Sequence, residues 1–242
     1  MSELASSGLP DAFKDIKRVI VVCAHADDTE TMMGGTAWLL AQQGVVLQEL
    51  ICTCGDLGTH DPKYTRESLA KARREEARSG GEVLGFSEVV TLDYHDGELE
   101  PSLELRATIA HYYRLWQSDA LFTFDPSWAG QIHGDHRAAG RAALDALMPS
   151  RMELYHPEQL TDGVEVGKTS KVFLFNPTAA DLYVDVTDVH AKKLEASVAH
   201  VSQFPGGEEN LQWMRYLDTE TAKQAGAEEG KLYEQFSQLS LW

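Results

Sequence analysis

Apolar and polar positions along the chain follow two patterns, short continuous apolar runs and longer segments with helical spacing. Continuous apolar runs are typical of strands that are covered on both faces of a parallel sheet. They predict strands at residues 18–26, 45–54, 88–92, 120–124, 152–155, 171–175 and 181–186. Helical spacing predicts helices at residues 36–44, 65–84, 103–116, 136–148 and 189–202, with one or two more after Gly206.

Strands that alternate with helices of this length are typical of right-handed crossover units. The fold class that follows is α/β, with a single doubly wound (Rossmann-like), mostly parallel sheet and helices on both faces. We expect an N-terminal extension (1–16), one α/β domain (17–205) and a C-terminal helical tail (206–242) packed on the same domain. In such sheets, ligands bind beyond the carboxyl ends of the strands.

The chain of 242 residues is strongly acidic, with a formal net charge of −17 at pH 7. Nucleic acids and anionic membranes need a basic surface, so this charge argues against both as main partners. The three cysteines lie in strand-like apolar runs and are expected to be reduced interior thiols. The sequence shows no signal-peptide pattern and no apolar run of the roughly 18 residues that a membrane helix needs, which indicates a cytoplasmic protein.

Two clusters of histidine and aspartate follow predicted strands. The first is HADDTE at residues 25–30, and the second is HGDH at residues 133–136. Because both follow strands of one parallel sheet, we expect them at the same edge of that sheet. A catalytic zinc ion keeps three protein ligands, often histidine nitrogens and a carboxylate oxygen, and one water. His25, Asp28 and His136 provide such a set.

The remaining polar groups of the two clusters suit proton transfer. Asp27 is adjacent to Asp28, so one carboxylate can bind the metal while the other takes a proton from water as general base. His133, close to Asp135, is expected to be a cation that stabilises a developing oxyanion or protonates the leaving amine. Each cluster alone also suits a plainer role, a polar loop for the first and a helix N-cap by Asp135 for the second.

The two clusters also carry a resemblance to a known family. AHADDTETMMGGT resembles the His-Pro-Asp-Asp signature of the PIG-L/LmbE-like family, which are zinc-dependent deacetylases of N-acetylglucosamine conjugates. HGDHRAAG resembles the second signature of that family, His-Pro-Asp-His, and the resemblance spans about residues 17–205 in matching order. Ala26 and Gly134 replace prolines of the family pattern, which affects the stiffness of the loops and not the ligands. Thr29 replaces the commoner glutamate.

The resemblance implies the same roles that the chemistry suggests. It implies zinc ligation by His25, Asp28 and His136, a general base in Asp27, and stabilisation of the tetrahedral intermediate by His133 paired with Asp135. It further implies that Arg73 faces the substrate, although the charged run around Arg73 would equally suit a solvated helix face. Asp96 would bind sugar hydroxyls or form a turn with Gly97.

Three further residues are candidates for the site. Trp128 would stack on a sugar face or pack within its own loop, and Gln131 would donate a hydrogen bond into the site. His200 would approach the site or cap a helix end, and the sequence does not choose between these roles. We expect residues 150–170 and the C-terminal tail to form the rim around the group that the sugar carries.

These observations predict a metal-dependent hydrolase that removes the N-acetyl group from an N-acetylglucosamine-type sugar or conjugate, with Zn2+ as cofactor. Other divalent transition metals suit the same ligands. Two alternatives stay open, an amidase acting on a larger thiol or glycan conjugate and a non-catalytic metal- or ligand-binding module. A dinucleotide site is disfavoured because the first strand is not followed by Gly-x-Gly-x-x-Gly. The expected partner is a small N-acetylated amino sugar, and the resemblance implies a homo-oligomer, either a trimer or a hexamer.

Overall fold

The computed structural model describes residues 3–4 and 8–241 of the chain. The strands are β1 (Glu3–Leu4), β2 (Arg18–Cys23), β3 (Val46–Thr53), β4 (Phe86–Tyr94), β5 (Ala120–Phe124), β6 (Lys171–Phe175), β7 (Leu182–Asp185) and β8 (Tyr233–Leu239). The α-helices are α1 (Asp28–Gln42), α2 (Arg66–Leu84), α3 (Leu103–Trp116), α4 (Gly134–Arg151), α5 (His190–Ser197) and α6 (Gln212–Gln224).

The strands of the described residues form one sheet in the order β1-β7-β8-β6-β5-β2-β3-β4. Neighbouring strands run parallel except for β8, which is antiparallel to β6 and to β7. The predicted α/β fold with a single, mostly parallel sheet is therefore confirmed. Within the same residues, no helix combines the length and the apolar character that crossing a membrane requires.

Each face of the sheet has its own apolar core, because successive side chains of a strand point to opposite faces. In β2, Val19 and Val21 pack in a cluster that includes Met33 and Leu40 of α1. Their neighbours Ile20 and Val22 pack in a second cluster, with Leu105 and Ile109 of α3 and Ala138 and Ala142 of α4. Burying a valine or isoleucine side chain contributes about 1.5–3 kcal/mol, so the two cores hold the helices on both faces.

The two histidine–aspartate clusters meet because β2 and β5 are neighbours in the sheet. Val22 of β2 pairs with Thr123 of β5, and both strands end at the same edge. The chain leaves β2 into α1, and it leaves β5 into α4 through the loop of residues 125–133. Segments 111 residues apart in the sequence are thus brought to one edge by a single parallel pairing.

The C-terminal segment differs from the predicted helical tail. Its helix α6 is followed by β8, which lies inside the sheet between β6 and β7. The apolar pattern does not predict this strand because Glu234, a charged residue, occupies a buried position beside Phe236. The predicted N-terminal extension also contributes to the fold, since Phe13 and Ile16 are buried in the core. Residues 1, 2, 5–7 and 242 lie outside the described residues.

The predicted strand at residues 152–155 is wrong, and so is the expectation that residues 150–170 form the rim of the site. Arg114, at the end of α3, is buried and donates hydrogen bonds to the carbonyl oxygens of Ser150 (3.0 Å), Met152 (2.9 Å) and Tyr155 (2.6 Å). These bonds hold the segment in turns. Because α3 leads directly into the start of β5, Arg114 and this segment lie at the amino ends of the strands. The segment therefore lies at the edge opposite the two clusters.

Candidate metal and catalytic site

Asp28 is fixed at the start of α1 by the loop that precedes it. Its Oδ2 atom accepts hydrogen bonds from the backbone N–H groups of Ala24 (3.0 Å) and His25 (2.7 Å). A carboxylate in the first turn of a helix is also stabilised by the helix dipole. Burial by itself would raise the pKa of Asp28, but His136 and His25 outweigh it and hold the pKa well below its usual range. The side chain is therefore an ionised carboxylate, as a metal ligand would need to be.

His25, Asp28 and His136 converge on one point. The Nε2 atom of His136 lies 3.1 Å from His25 Nδ1 and 3.1 Å from Asp28 Oδ1. His25 Nδ1 also lies 3.6 Å from Oδ2, the other carboxylate oxygen of Asp28. The ring of His136 is held by stacking on Phe124, with centroids 4.0 Å apart and planes 9° from parallel.

This donor set fits a divalent metal ion. Zn–N distances of about 2.0–2.1 Å place the corners of a tetrahedron about 3.3 Å apart, close to the two 3.1 Å separations that His136 Nε2 makes with His25 Nδ1 and Asp28 Oδ1. Two imidazoles and one carboxylate are a common set for a catalytic zinc ion. The structure thus has a candidate metal-binding group where the sequence predicted one.

The other nitrogen of His25 faces two carboxylates. His25 Nε2 lies 3.2 Å from Asp135 Oδ2 and 3.2 Å from Asp96 Oδ1. Burial would lower the pKa of His25, but the hydrogen bonds to Asp135, Asp28 and Asp96 raise it to about 12. Donor atoms of His25, Asp96, His133 and Asp135 also lie within 4.8 Å of one another, as do those of His25, His133 and His136. The site therefore contains overlapping sets of possible ligands.

The predicted pairing of Asp135 with His133 is wrong. The Asp135 carboxylate accepts hydrogen bonds from the backbone N–H groups of Gly97 (2.7 Å) and Leu99 (3.2 Å), and it faces His25. The bond between Asp135 and His133 runs instead from the backbone N–H of Asp135 to His133 Nδ1 (3.3 Å). Burial, together with His25 and His136, lowers the pKa of His133, so this imidazole is neutral and not the expected cation.

Arg73 is buried and lies beside Asp27. Its Nη2 atom is 3.9 Å from Asp27 Oδ1, and its Nε atom has no hydrogen-bond partner among the described residues. The solvated helix face that the sequence also allowed is therefore wrong. Gly55 makes room for the side chain, since a Cβ at this position would lie 2.5 Å from Arg73 Cδ. Asp27 precedes α1, and its carboxylate makes no capping bond to that helix.

The other predicted site residues, Asp96, Trp128 and Gln131, each have a different environment. Asp96 is buried beside His25, as described above. Trp128 lies over Gly130 of its own loop, as expected for loop packing. Gln131 is buried, and its Oε1 atom accepts a hydrogen bond from the backbone N–H of His133 (3.2 Å). Gln131 thus shapes the loop of the second cluster.

His200 belongs to a buried polar group behind the site that the sequence did not reveal. Its Nε2 atom lies 3.2 Å from Glu30 Oε1, and both side chains are almost fully buried. Burial would lower the pKa of His200, but Glu30 raises it to about 9. Glu49, also buried, accepts a hydrogen bond from Thr29 and has its pKa raised to about 8 by burial and by Glu30. A charged residue within an apolar run, as at Glu49, is the sequence signal for such a group.

Comparisons with known proteins give a family match and several similar proteins. Residues 20–147 match the PIG-L family, described as GlcNAc-PI de-N-acetylase. The diacetylchitobiose deacetylase of Thermococcus kodakarensis is 31% identical over 209 residues, which cover 86% of this chain and 78% of that protein. A probable N-acetyl-alpha-D-glucosaminyl L-malate deacetylase 2 of Bacillus anthracis is 29% identical over 200 residues, which cover 79% of this chain and 83% of that protein.

A solved structure extends the similarity to the whole fold. The N,N'-diacetylchitobiose deacetylase from Pyrococcus horikoshii, complexed with its inhibitor MPG, has a TM-score of 0.88 and 30% sequence identity to this chain. The similarity covers 96% of this chain and 87% of the other. The segment that matches the family runs from β2 into α4 and contains both histidine–aspartate clusters. This chain belongs to the PIG-L family.

Proposed function

We propose that this protein is a zinc-dependent N-deacetylase that removes the acetyl group from an N-acetylglucosamine-type sugar or conjugate. The observation that carries the proposal is the convergence of His25, Asp28 and His136 on one point, within 3.1–3.6 Å of one another. The relatives support it, because two of them are named as deacetylases of diacetylchitobiose and one as a probable deacetylase of an N-acetylglucosaminyl malate.

We assign His25, Asp28 and His136 as the metal ligands. When bound, a zinc ion would polarise the amide carbonyl and lower the pKa of a water molecule toward 7. Asp135 is assigned a different role because it already accepts two backbone N–H bonds and faces His25 Nε2. A carboxylate behind a ligating histidine orients its ring and increases the basicity of the other nitrogen.

Asp27 is proposed as the general base. It is the residue before Asp28, it is partly exposed, and its carboxylate is not used to cap α1. It would take a proton from the attacking water and later deliver a proton to the leaving amine. Arg73 Nη2 lies 3.9 Å from this carboxylate and would orient it before the reaction.

His133 is proposed as a neutral hydrogen-bond donor to the oxyanion of the tetrahedral intermediate. Its Nδ1 atom accepts the backbone N–H of Asp135, so the proton of the neutral ring is on Nε2. A neutral N–H donor that is already in place stabilises the charge that develops on the carbonyl oxygen. This role replaces the cationic one expected from the sequence.

Arg73 and Asp96 are proposed to bind the sugar, and Trp128 stays a candidate for stacking at the rim of the site. Arg73 carries a buried Nε–H without a partner among the described residues, which a ligand hydroxyl or carbonyl oxygen would satisfy. Asp96 places one carboxylate oxygen against His25, and its other oxygen lies beside Gly58.

We also propose a cytoplasmic homo-oligomer, either a trimer or a hexamer. A reducing compartment is supported by Cys23, Cys52 and Cys54, which are all free thiols. Oligomerisation is supported by Ile132, which lies beside the second cluster and is 92% exposed. A second copy of the chain would cover this side chain. Light scattering coupled to size-exclusion chromatography tests the assembly, and a monomer would contradict it.

The proposed reaction is tested by measuring acetate and free amine after incubation with N-acetylglucosamine and N,N'-diacetylchitobiose. Zinc-loaded protein is expected to release both products in equal amounts, chelator-treated protein is expected to release neither, and added zinc is expected to restore them. The Asp27→Asn variant serves as the matched inactive protein. Zinc binding without acetate release from any N-acetylated sugar or larger conjugate would favour the non-catalytic module.

A further inference from the structure

A cavity of about 490 Å³ lies beside the candidate site, between two loops at the same edge of the sheet. One wall is the loop of residues 57–64 after β3, and the other is the segment 201–205 after α5. This volume lies within the range of about 300–1,000 Å³ typical of small-molecule sites.

The cavity is continuous with the residues proposed to hold the sugar. Gly58 forms part of its wall, and a Cβ at Gly58 would lie 3.4 Å from Asp96 Oδ2 and 3.5 Å from Arg73 Nη1. The other carboxylate oxygen of Asp96 faces His25 Nε2 at 3.2 Å. A substrate whose acetylated sugar lies at the metal ligands would therefore extend its attached group into this cavity.

The two walls are joined to each other before any ligand binds. Thr59 Oγ1 donates a hydrogen bond to the carbonyl oxygen of Ser202 (3.3 Å), and Gln203 Nε2 donates one to the carbonyl oxygen of Gly58. Ser202 is held in turn by Glu76 of α2, through its backbone N–H (2.9 Å) and its hydroxyl (2.6 Å). A cavity with fixed walls costs little ordering entropy when it is filled.

The charges in the cavity compensate each other. Lys63 Nζ lies 2.8 Å from Asp61 Oδ2, and both residues line the cavity. The same ammonium group lies 4.9 Å from the centre of the Tyr64 ring. Tyr64, Val201 and Pro205 supply apolar surface, and Lys63, already paired with Asp61, is the only lysine or arginine among the residues that line the cavity.

This chemistry matches a pyranose ring better than an anionic group. A sugar ring offers apolar C–H faces that pack on an aromatic side chain and hydroxyl groups that bond to polar walls. An anion would have to displace Asp61 from Lys63 in a protein that already carries a net charge of −17. We propose that this cavity is a subsite for the group attached to the acetylated sugar, and that it selects an uncharged glycosyl unit over an anionic one.

The subsite rests on the proposed deacetylase function, and the experiment separates the two. Initial rates of acetate release are measured with N-acetylglucosamine, which lacks the attached group, with N,N'-diacetylchitobiose, which is neutral, and with N-acetylglucosaminyl malate, which is anionic. The zinc-loaded wild type is expected to give the highest kcat/KM with diacetylchitobiose. Acetate release from none of the three would overturn both proposals. Equal kcat/KM for all three, or a preference for the malate conjugate, would overturn the subsite and leave the deacetylase function standing.

Tyr64→Ala tests the aromatic wall. It is expected to lower kcat/KM for diacetylchitobiose about two- to tenfold and to leave the value for N-acetylglucosamine within about twofold. Tyr64→Phe is expected to restore the rate because it keeps the ring. Tyr155→Ala, which removes an exposed tyrosine at the opposite edge of the sheet, is the matched control. Equal losses on the monosaccharide and the disaccharide would contradict a subsite role for Tyr64.

Asp61→Asn tests the charge balance. It frees Lys63 and is expected to raise kcat/KM for the malate conjugate relative to diacetylchitobiose by about fivefold, an advantage that about 0.5 M salt removes. Binding of diacetylchitobiose to the Asp27→Asn protein, measured by calorimetry, gives a readout independent of turnover, and it should weaken when Tyr64→Ala is added. An unchanged preference in Asp61→Asn would contradict the charge argument.

Discussion

Lys193→Met is expected to destabilise the fold strongly, because the ammonium group of Lys193 lies between two buried carboxylates. Lys193 Nζ, on α5, is 2.9 Å from Asp218 Oδ2 on α6 and 3.0 Å from Glu234 Oε1 on β8. His190 Nε2 also faces Asp218, at 3.1 Å. Methionine keeps most of the apolar stem of lysine, so the substitution removes the charge and leaves little empty volume.

The size of the stability loss depends on which hydrogen-bond partners the two carboxylates keep in the variant. Removing one member of a buried ion pair costs about 3–5 kcal/mol, because the other charge stays buried without compensation. Glu234 still accepts hydrogen bonds from the backbone N–H groups of Gly35 (2.9 Å) and Thr36 (2.8 Å), where α1 resumes after its irregular residue Met33. We therefore expect the lower end, about 3 kcal/mol, out of a typical total of about 5–15 kcal/mol.

The wild type should keep the stabilisation from Lys193 at neutral pH. Burial would lower the pKa of Lys193, but Asp218 and Glu234 outweigh it and raise the pKa above its ordinary value of 10.5. A cation with a raised folded-state pKa contributes its full stabilisation below the unfolded pKa and loses it only as pH rises through the folded value. The stabilisation that Lys193 contributes to the wild type should thus be fully present between about pH 6 and 9.

Urea unfolding followed by circular dichroism measures this difference. Lys192→Met is the matched control, because Lys192 pairs with Glu195 on the surface at 2.7 Å and should contribute less than about 1 kcal/mol. Adding Glu234→Gln to Lys193→Met removes one uncompensated charge and should recover part of the loss. A cost of Lys193→Met below about 1 kcal/mol, or equal to that of Lys192→Met, would refute the reasoning.

Three further predictions concern the site. Asp27→Asn should keep its zinc, measured by elemental analysis, and lower kcat about 10²–10⁴-fold because the base is lost; a near-normal rate would show that another group takes the proton. His133→Ala should lower kcat about 10²–10³-fold with unchanged zinc content, whereas a loss of zinc would make His133 a ligand. Zinc added to chelator-treated protein near pH 7.5 should release a proton to a weakly buffered indicator, since the pKa of His25 is raised to about 12 and Nδ1 must be deprotonated to bind metal. Zinc affinity should accordingly rise with pH, and a pH-independent affinity without proton release would contradict this assignment.

The sequence predicts the location of the site well because two local patterns coincide. Continuous apolar runs predicted β2 and β5, and the polar clusters directly after them had to lie at the carboxyl edge of a parallel sheet. The sequence alone therefore predicts that His25 and His136 lie close together. Their ring nitrogens come within 3.1 Å of each other because β2 and β5 are neighbours in the sheet.

Other features could not be predicted because they depend on partners that are distant in the sequence. Glu234 interrupts the apolar pattern of β8, so the strand is not predicted from the sequence. Its burial is explained by the ion pair with Lys193 of α5, which is distant in the sequence. Arg73 looks solvated within its charged run, yet Gly55 gives it space to be buried. Asp135 follows His133 so closely that a pairing between them was expected, whereas the fold turns its carboxylate toward His25.

The metal content of purified variants tests most directly whether the two loops bind one ion. Elemental analysis of folded protein is expected to find one equivalent of zinc in the wild type and little in His25→Ala, Asp28→Ala or His136→Ala. His95→Ala is the matched control, because His95 belongs to a separate group with Cys54 and Asp56, and it should keep its zinc. Full zinc occupancy in His136→Ala, or loss of zinc only in His95→Ala, would contradict the account.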